Sequence, residues 1–444
     1  MLRLQAKKTL SLAYPIIIGE ISQISLALVD SAMVGSVSYK QLAASALVMS
    51  VINIPFVFGI GITISVSQMV SMSHGRRDSK QVSHYLFNGF WLCAITAILI
   101  ALLLELGKGI LMHLNQYPEV AALAVPYMSI MGWGIIPMIL FLALKQFTDG
   151  LEYTKTAMVL SLCAIPLNAF LNWLFIFGHW GFPRMELYGA GLGTFITRTI
   201  LFVVLALVVW FHPLFKRYII IGKRVWVLRW GTIRELLGIG VPSALQIGME
   251  AGAFAVSSIL VGTLGAISLA AHQIALSMAS FTFIISLGLS QAGSIRVSNA
   301  FGRMDRKEID GIGKSTLYMA WAYGSFCALM FILFRSHLPF IFNDNISVVT
   351  LAATLLLFGG LFQISDSSQT VTAGLLRGIK DVKVPTVFIL IAYWIVGLPL
   401  GYYLTFHLKM GASGIWIGFI TGLTFSAMFL YLRFRRMTRI GRAL

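Results

Sequence analysis

The chain has 444 residues, 58% of them hydrophobic and only 11% charged, with a formal net charge of +17. Soluble globular domains carry about 25% charged residues, so this balance excludes one. The positive charge does not imply a nucleic-acid partner, because it is confined to alternate loops between apolar runs.

Apolar runs bounded by charged or Gly/Pro loops fall near 10–34, 43–68, 85–113, 122–148, 156–179, 189–212, 235–261, 269–297, 312–336, 349–376, 385–406 and 411–434. A helix of about 20 apolar residues crosses a bilayer, and in lipid only a helix or a closed barrel satisfies its own backbone. The fold class expected is therefore an all-α membrane protein of about twelve transmembrane helices. The N-terminal charges precede an apolar run too long for a signal-peptide core, so it reads as a retained first helix.

The basic loops are the N-terminus (Arg3, Lys7, Lys8), residues 76–80, the segment from Lys216 to Arg234 with Lys223 and Arg224, residues 303–307, residues 377–383, and the tail through Arg442. The intervening loops hold little beyond Lys40, Arg184, Arg335 and Lys409. This positive-inside pattern predicts both termini in the cytoplasm. The basic, aromatic linker is expected to lie on the anionic membrane surface.

The chain also contains one unit twice. Segment 15–80 aligns without a gap on segment 242–307, with 18 identities in 66 pairs. Pro15/Pro242, Gly61/Gly288 and the Gly-Arg-x-Asp of 75–78 and 302–305 are among them, and shared apolar composition does not explain those. The duplication predicts two pseudo-symmetric six-helix lobes, 1–212 and 235–444, joined by a cytoplasmic linker at 213–234. With six spans each, the lobes share one orientation, and their pseudo-axis follows the membrane normal.

Cys93, Cys163 and Cys327 lie scattered in apolar spans, are expected to be buried, and suggest neither disulfides nor a metal site. The histidines show no paired metal-binding spacing, and no phosphate-binding GxxxxGK[ST] loop is present. The reading is of a non-enzyme without a cofactor.

Charges inside spans are costly and mark cavities or ion paths. Asp30 in the first span, Asn168 and Asn172 in the fifth, and Thr194 in the sixth fall at one depth. The two asparagines, four apart, share a helix face. One carboxylate, two amides and a hydroxyl form a hard-oxygen set suited to H⁺ or Na⁺; the competing reading is interhelical hydrogen bonding. Glu250 in the seventh span and Asp366 in the tenth suggest a pocket for an organic or metal cation. Phe254, one turn beyond Glu250, offers a ring face to a cation. Phe362, Gln363 and Gln369 share the Asp366 face. Gln273, beside His272, either faces that pocket or packs. Glu105 and Lys108 are expected to pair, Lys145 to snorkel to the surface, and Arg198 to meet backbone or an acid.

The stretches VDSAMVGSVSYKQLAA (29–44), IPLNAFLNWLFIFG (165–178), YGAGLGTFITR (188–198), PSALQIGMEAGAF (242–254) and GLFQISDSSQTVTAGLLRGIKDVKVPT (360–386) resemble the multidrug and toxic compound extrusion family, in its NorM-like bacterial branch. The resemblance spans nearly the whole chain. It implies an outward-open V between the lobes and secondary-active export of cationic aromatic compounds in exchange for Na⁺ or H⁺. It further implies an N-lobe cation site at Asp30, Asn168, Asn172 and Thr194. The C-lobe acids would be Glu250 and Asp366, so Na⁺ would sit at Asp30 or at that pair. A functional monomer in the bacterial inner membrane, in contact with lipid and not nucleic acid, goes with it. Against the family pattern, FNDNISV (342–348) has one acid, Asp344, in place of two, and Phe362 stands where some relatives have a hydroxyl-bearing ring; both departures weaken the expected Na⁺ coordination and leave the coupling ion open. The rival reading, a lipid-linked oligosaccharide flippase of the same broad superfamily, would need a cationic cavity, and the intramembrane charges here are chiefly acidic. A polyprenyl transferase would need an aspartate-rich Mg²⁺ motif, which the sequence lacks.

Overall fold

A computed structural model describes residues 2–113, 117–219 and 227–439. Lys223, Arg224 and Arg442, read above as part of the basic linker and tail, lie outside the described residues. Among the described residues there is no strand, and twelve helices are long and apolar enough to cross a membrane. The protein is an integral membrane protein. The helices are α1 (Leu2–Gly35), α2 (Tyr39–Gly75), α3 (Ser79–His113), α4 (Pro118–Gly150), α5 (Thr154–Phe177), α6 (Glu186–Phe211), α7 (Trp230–Gly262), α8 (Ala266–Gly302), α9 (Arg306–Phe334), α10 (Ile346–Gly378), α11 (Lys383–His407) and α12 (Ala412–Thr438). Helix α1 starts earlier than its apolar run: Arg3, Lys7 and Lys8 are helical, since basic side chains can leave a helix sideways while its backbone bonds continue.

Two compact units form, and their boundaries differ from the expected 212 and 235. One unit is Ile18–Ala244; the other combines the chain up to Ile17 with Leu245 onward. Helices α1 and α7 each pass from one unit to the other, at positions related by the internal repeat. Pro15 and Pro242 stand two residues before those points, inside their helices. A proline there removes a backbone donor that the helix would otherwise use.

Within the first unit, the start of α7 is fastened by polar contacts. Glu235 accepts a hydrogen bond from the Tyr85 hydroxyl at 2.5 Å, and Asn88 accepts from the Arg229 amide at 2.8 Å. Within the second unit the start of α1 is held by buried Arg296, which donates to the Gln5 carbonyl at 2.7 Å and to the Thr9 hydroxyl at 2.6 Å. The two fastenings use different residues at corresponding places.

The repeated Gly-Arg-x-Asp has a local cause. After α2, Arg77 adopts φ 58°, Asp78 N–H bonds the Ser73 carbonyl at 3.1 Å, and the Asp78 carboxylate caps α3 by accepting from Gln81 N–H at 3.0 Å. After α8, Met304 adopts φ 58°, Asp305 N–H bonds the Ala300 carbonyl at 3.0 Å, and Asp305 caps α9 through Glu308 N–H at 3.0 Å. Each is a left-handed helix stop followed at once by an N-cap. Glu152 and Lys380 make the same kind of stop after α4 and α10.

In the second unit α12 carries Gly414, Gly418 and Gly422, one per turn. Cβ atoms there would lie 2.6 Å from Thr405 N, 2.3 Å from Gly397 O and 2.1 Å from Ala392 O. Small residues at this spacing let two membrane helices touch backbone to backbone. Their partner α11 is wound as π-helix over Ile391–Gly397 and Tyr403–His407. That winding widens the turn and re-aims Tyr393, a residue buried within this unit.

Candidate functional site

In the first unit the predicted N-lobe set comes together. Asn172 Nδ2 donates to Asp30 Oδ1 at 2.5 Å, and the Thr194 hydroxyl donates to Asp30 Oδ2 at 3.0 Å. Asn172 Nδ2 also reaches Asn168 Oδ1 at 3.2 Å, and Asn168 Nδ2 reaches Thr194 Oγ1 at 3.4 Å. Asn168 and Asn172 are fully buried, Thr194 nearly so, and Asp30 is half-buried. Both carboxylate oxygens thus have a donor, while Asn172 Oδ1 is a buried acceptor without a hydrogen-bond partner. Arg198 and Tyr127 lie near enough to Asp30 to act on it electrostatically. A Cβ at Gly193 would stand 2.5 Å from Asn172 Oδ1, so this glycine makes room for the amide. Sequence reasoning did not single it out, although it stands in the YGAGLGT segment, next to Thr194.

In the second unit Glu250 and Asp366 lie close enough to act on each other electrostatically. Asp366 is buried, Glu250 half-buried, and Asp366 Oδ1 has no hydrogen-bond partner. The hydroxyl of Tyr393 faces both acids and Gln369, but forms no well-made hydrogen bond with them. Gln369 is buried with its Oε1 unpartnered and lies beside the Tyr393 hydroxyl. Phe254 packs edge-on to Phe362 at 6.1 Å, Tyr393 at 6.0 Å and Phe419 at 5.2 Å between centroids. Phe362 in turn meets Trp416 at 5.6 Å. Phe254 therefore belongs to an aromatic cluster that reaches the acids through Tyr393.

Gln273 is not part of this cluster. It is exposed and donates to the Ser258 hydroxyl at 3.0 Å, one helical position away from the face that its neighbour His272 buries. His272 lies in a chain of hydrogen bonds. Trp416 Nε1–H donates to Nδ1 at 3.2 Å, so Nδ1 is unprotonated and Nε2 carries the hydrogen. Nε2–H then donates to Ser257 Oγ at 3.2 Å, whose own hydrogen goes to the Phe254 carbonyl at 2.8 Å. Ser257 is the repeat equivalent of Asp30, so the same position holds an acid in one unit and a histidine-bonded hydroxyl in the other.

Tyr393, Trp416 and Phe419 were missed in the sequence because α11 and α12 look uniformly apolar. The usable signal was the Trp N–H and Tyr O–H, which need partners when buried. Among the described residues no three His, Cys, Asp or Glu side chains come together as a metal cluster. A metal cation at either acid would be held largely by amide and hydroxyl oxygens.

Other expectations divide. Glu105 and Lys108 do pair, and Ser129 also donates to Glu105 at 2.5 Å. Lys145 does not snorkel: it is buried and bonds Glu20 at 3.0 Å, because an acid on α1 offers it a partner inside. Cys163 is exposed rather than buried, facing outward from α5.

The MatE family model matches residues 15–174 and 242–403, two stretches that begin 227 residues apart, as the internal repeat does. The chain belongs to the MatE family. Similarity within MatE extends over nearly the whole length. A probable multidrug resistance protein NorM of Mesorhizobium japonicum is 34% identical over 99% of this chain and 95% of its own. The multidrug resistance protein MdtK of Edwardsiella ictaluri is 33% identical over 98% of this chain and 96% of its own. The eukaryotic MATE transporter AtDTX14 shares the fold with a TM-score of 0.87 at 20% identity, covering 99% of both chains. An outward-facing multidrug resistance MATE transporter superposes with a TM-score of 0.88 at 18% identity, over 98% of this chain and 96% of its own.

Proposed function

We propose that this MatE protein is a secondary-active multidrug exporter, moving cationic aromatic compounds outward in exchange for Na⁺ or H⁺ by alternating access. The observation that carries this reading is the pair Glu250 and Asp366. They act on each other beside Tyr393, a member of the aromatic cluster, and among the described residues no basic side chain acts on either. Two carboxylates in a low-dielectric site repel, and several kcal/mol ride on finding them a countercharge. Within the membrane that countercharge must come from outside the chain: a proton, a metal cation or an organic cation. Species that neutralise the same pair compete for it, and competition between an inward ion and an outward drug is the thermodynamic basis of antiport. The rings of Phe254, Phe362 and Tyr393 suit an aromatic cation. The names of the NorM and MdtK relatives support a drug substrate.

The Asp30 site supports the same reading as an ion site. Asn172 and Thr194 can turn their donors away and present oxygens to Na⁺, while a proton needs only one Asp30 oxygen. The protein would work as a monomer in the inner membrane, with both termini cytoplasmic. A flippase for anionic lipid-linked sugars finds no support, because the charges of the aromatic cluster are acidic.

Ethidium binding to purified protein tests the reading. Affinity should fall as Na⁺ is added or pH is lowered, whichever ion couples, and should fall further in Glu250→Gln and Asp366→Asn. Binding that ignores both ions and both substitutions would refute a shared site.

A further inference from the structure

A third buried ionic group lies apart from both sites. Near the end of α4, Lys145 Nζ stands 3.0 Å from Glu20 Oε1 of α1 and 4.0 Å from Asp149 Oδ2. The Asp149 side chain is 1% exposed, that of Lys145 7%, and that of Glu20 28%. Neither Asp149 oxygen has a hydrogen-bond partner. The charged groups that act on Asp149 are Lys145 and Glu20; among the described residues α2, α3, α5 and α6 bring no other charge to bear on it.

We infer that this cluster holds one exchangeable proton on Asp149, making it a proton-binding site of the Ile18–Ala244 unit separate from Asp30. Three arguments agree. With all three groups ionised the cluster carries two negative charges and one positive, and burying the surplus charge costs several kcal/mol. The ammonium is committed to Glu20, so Asp149 is the acid left without a close partner. Asp149 also occupies the last turn of α4 (helical through Gly150), where the helix dipole is negative and disfavours a carboxylate. One proton on Asp149 neutralises the cluster. Glu20 is the most exposed member of the cluster.

The test is infrared spectroscopy of the protonated-carboxyl C=O stretch at neutral pH, with thermal unfolding as the check on folding. Asp149→Asn should remove one component of that band, and Asp30→Asn should leave that component in place. Glu20→Gln should remove the same component without touching Asp149, because Lys145 then has one acid to pair with and Asp149 ionises. If Asp149→Asn does not fold, Glu20→Gln decides alone. A component that survives Asp149→Asn in folded protein, or survives Glu20→Gln, overturns the inference.

Discussion

Gly61 lies so close to Ala244 that a Cβ at position 61 would come within 2.4 Å of the Ala244 Cα. The repeat reproduces this relation. Gly288, equivalent to Gly61, approaches Ile17, equivalent to Ala244, with a hypothetical Cβ 2.3 Å from Cγ1. The glycines are retained because a helix passes each of them where α1 and α7 change units. Neither contact can give cheaply. At Gly61 the nearest atoms are backbone; at Gly288 the nearest is Cγ1 of Ile17, whose β-branched side chain a helix holds in essentially one rotamer. Gly61→Ala and Gly288→Ala are therefore each expected to cost about 1–3 kcal/mol as overpacked sites. Thermal unfolding in detergent of the two variants checks this, and an unchanged midpoint in either would contradict it.

The N-lobe cluster makes a prediction about the coupling ion. Thr194→Val keeps the side-chain shape but removes the donor to Asp30 Oδ2. Losing one hydrogen bond to a charged group is worth about 1.5–3 kcal/mol. The concentration of coupling ion giving half-maximal transport should move by at least about tenfold, since about 1.4 kcal/mol corresponds to tenfold. Transport kinetics across a range of Na⁺ or pH would show it; an unchanged midpoint would remove Thr194 from the site.

Tyr393 should separate stability from function. Its hydroxyl faces both acids without a well-made hydrogen bond. Replacing it by Phe keeps the ring contacts with Phe254 at 6.0 Å and Phe419 at 6.1 Å. Stability should change by less than about 1 kcal/mol, the worth of an ordinary hydrogen bond. Ion or drug affinity should change severalfold. A variant that unfolds early with normal transport would reverse the assignment.

Trp416 is expected to fix the His272 tautomer. Nitrogen NMR of labelled protein should find His272 protonated on Nε2 alone. Trp416→Phe leaves the buried Nδ1 without its donor and should cost at least about 1–3 kcal/mol of stability, the penalty of an unsatisfied buried acceptor, with a further loss for the space the indole vacates. A wild-type signal from the Nδ1–H tautomer would contradict the geometry.

Much of this architecture was legible in the sequence because membrane helices announce themselves by composition, and because helical spacing fixes which residues share a face. Asn168 and Asn172 were placed together by that spacing, and their depth brought Asp30 and Thr194 to them. What stayed hidden depends on neighbours from distant helices. Whether Gln273 faces the pocket or packs could not be read from its neighbour His272, because adjacent helical residues point in different directions. Lys145 looked like a surface cation until Glu20 was seen beside it. Tyr393 is aimed by a π-helical stretch, and nothing in an apolar run marks where a helix will widen. The Gly414, Gly418 and Gly422 row was readable in principle, but it says that a backbone approaches without saying which one. The unit boundaries at Ile17 and Ala244 lie inside continuous helices, where no loop or composition change betrays them.

The central claim is that Glu250 and Asp366 are where ion and drug compete. Its most direct test is ethidium efflux from proteoliposomes driven by an imposed Na⁺ gradient and, separately, by an imposed pH gradient. The account predicts efflux that follows one of the two gradients and disappears in Asp366→Asn, with the variant protein inserted and folded normally. Efflux that persists in that variant, or a wild-type protein that answers neither gradient, would contradict it.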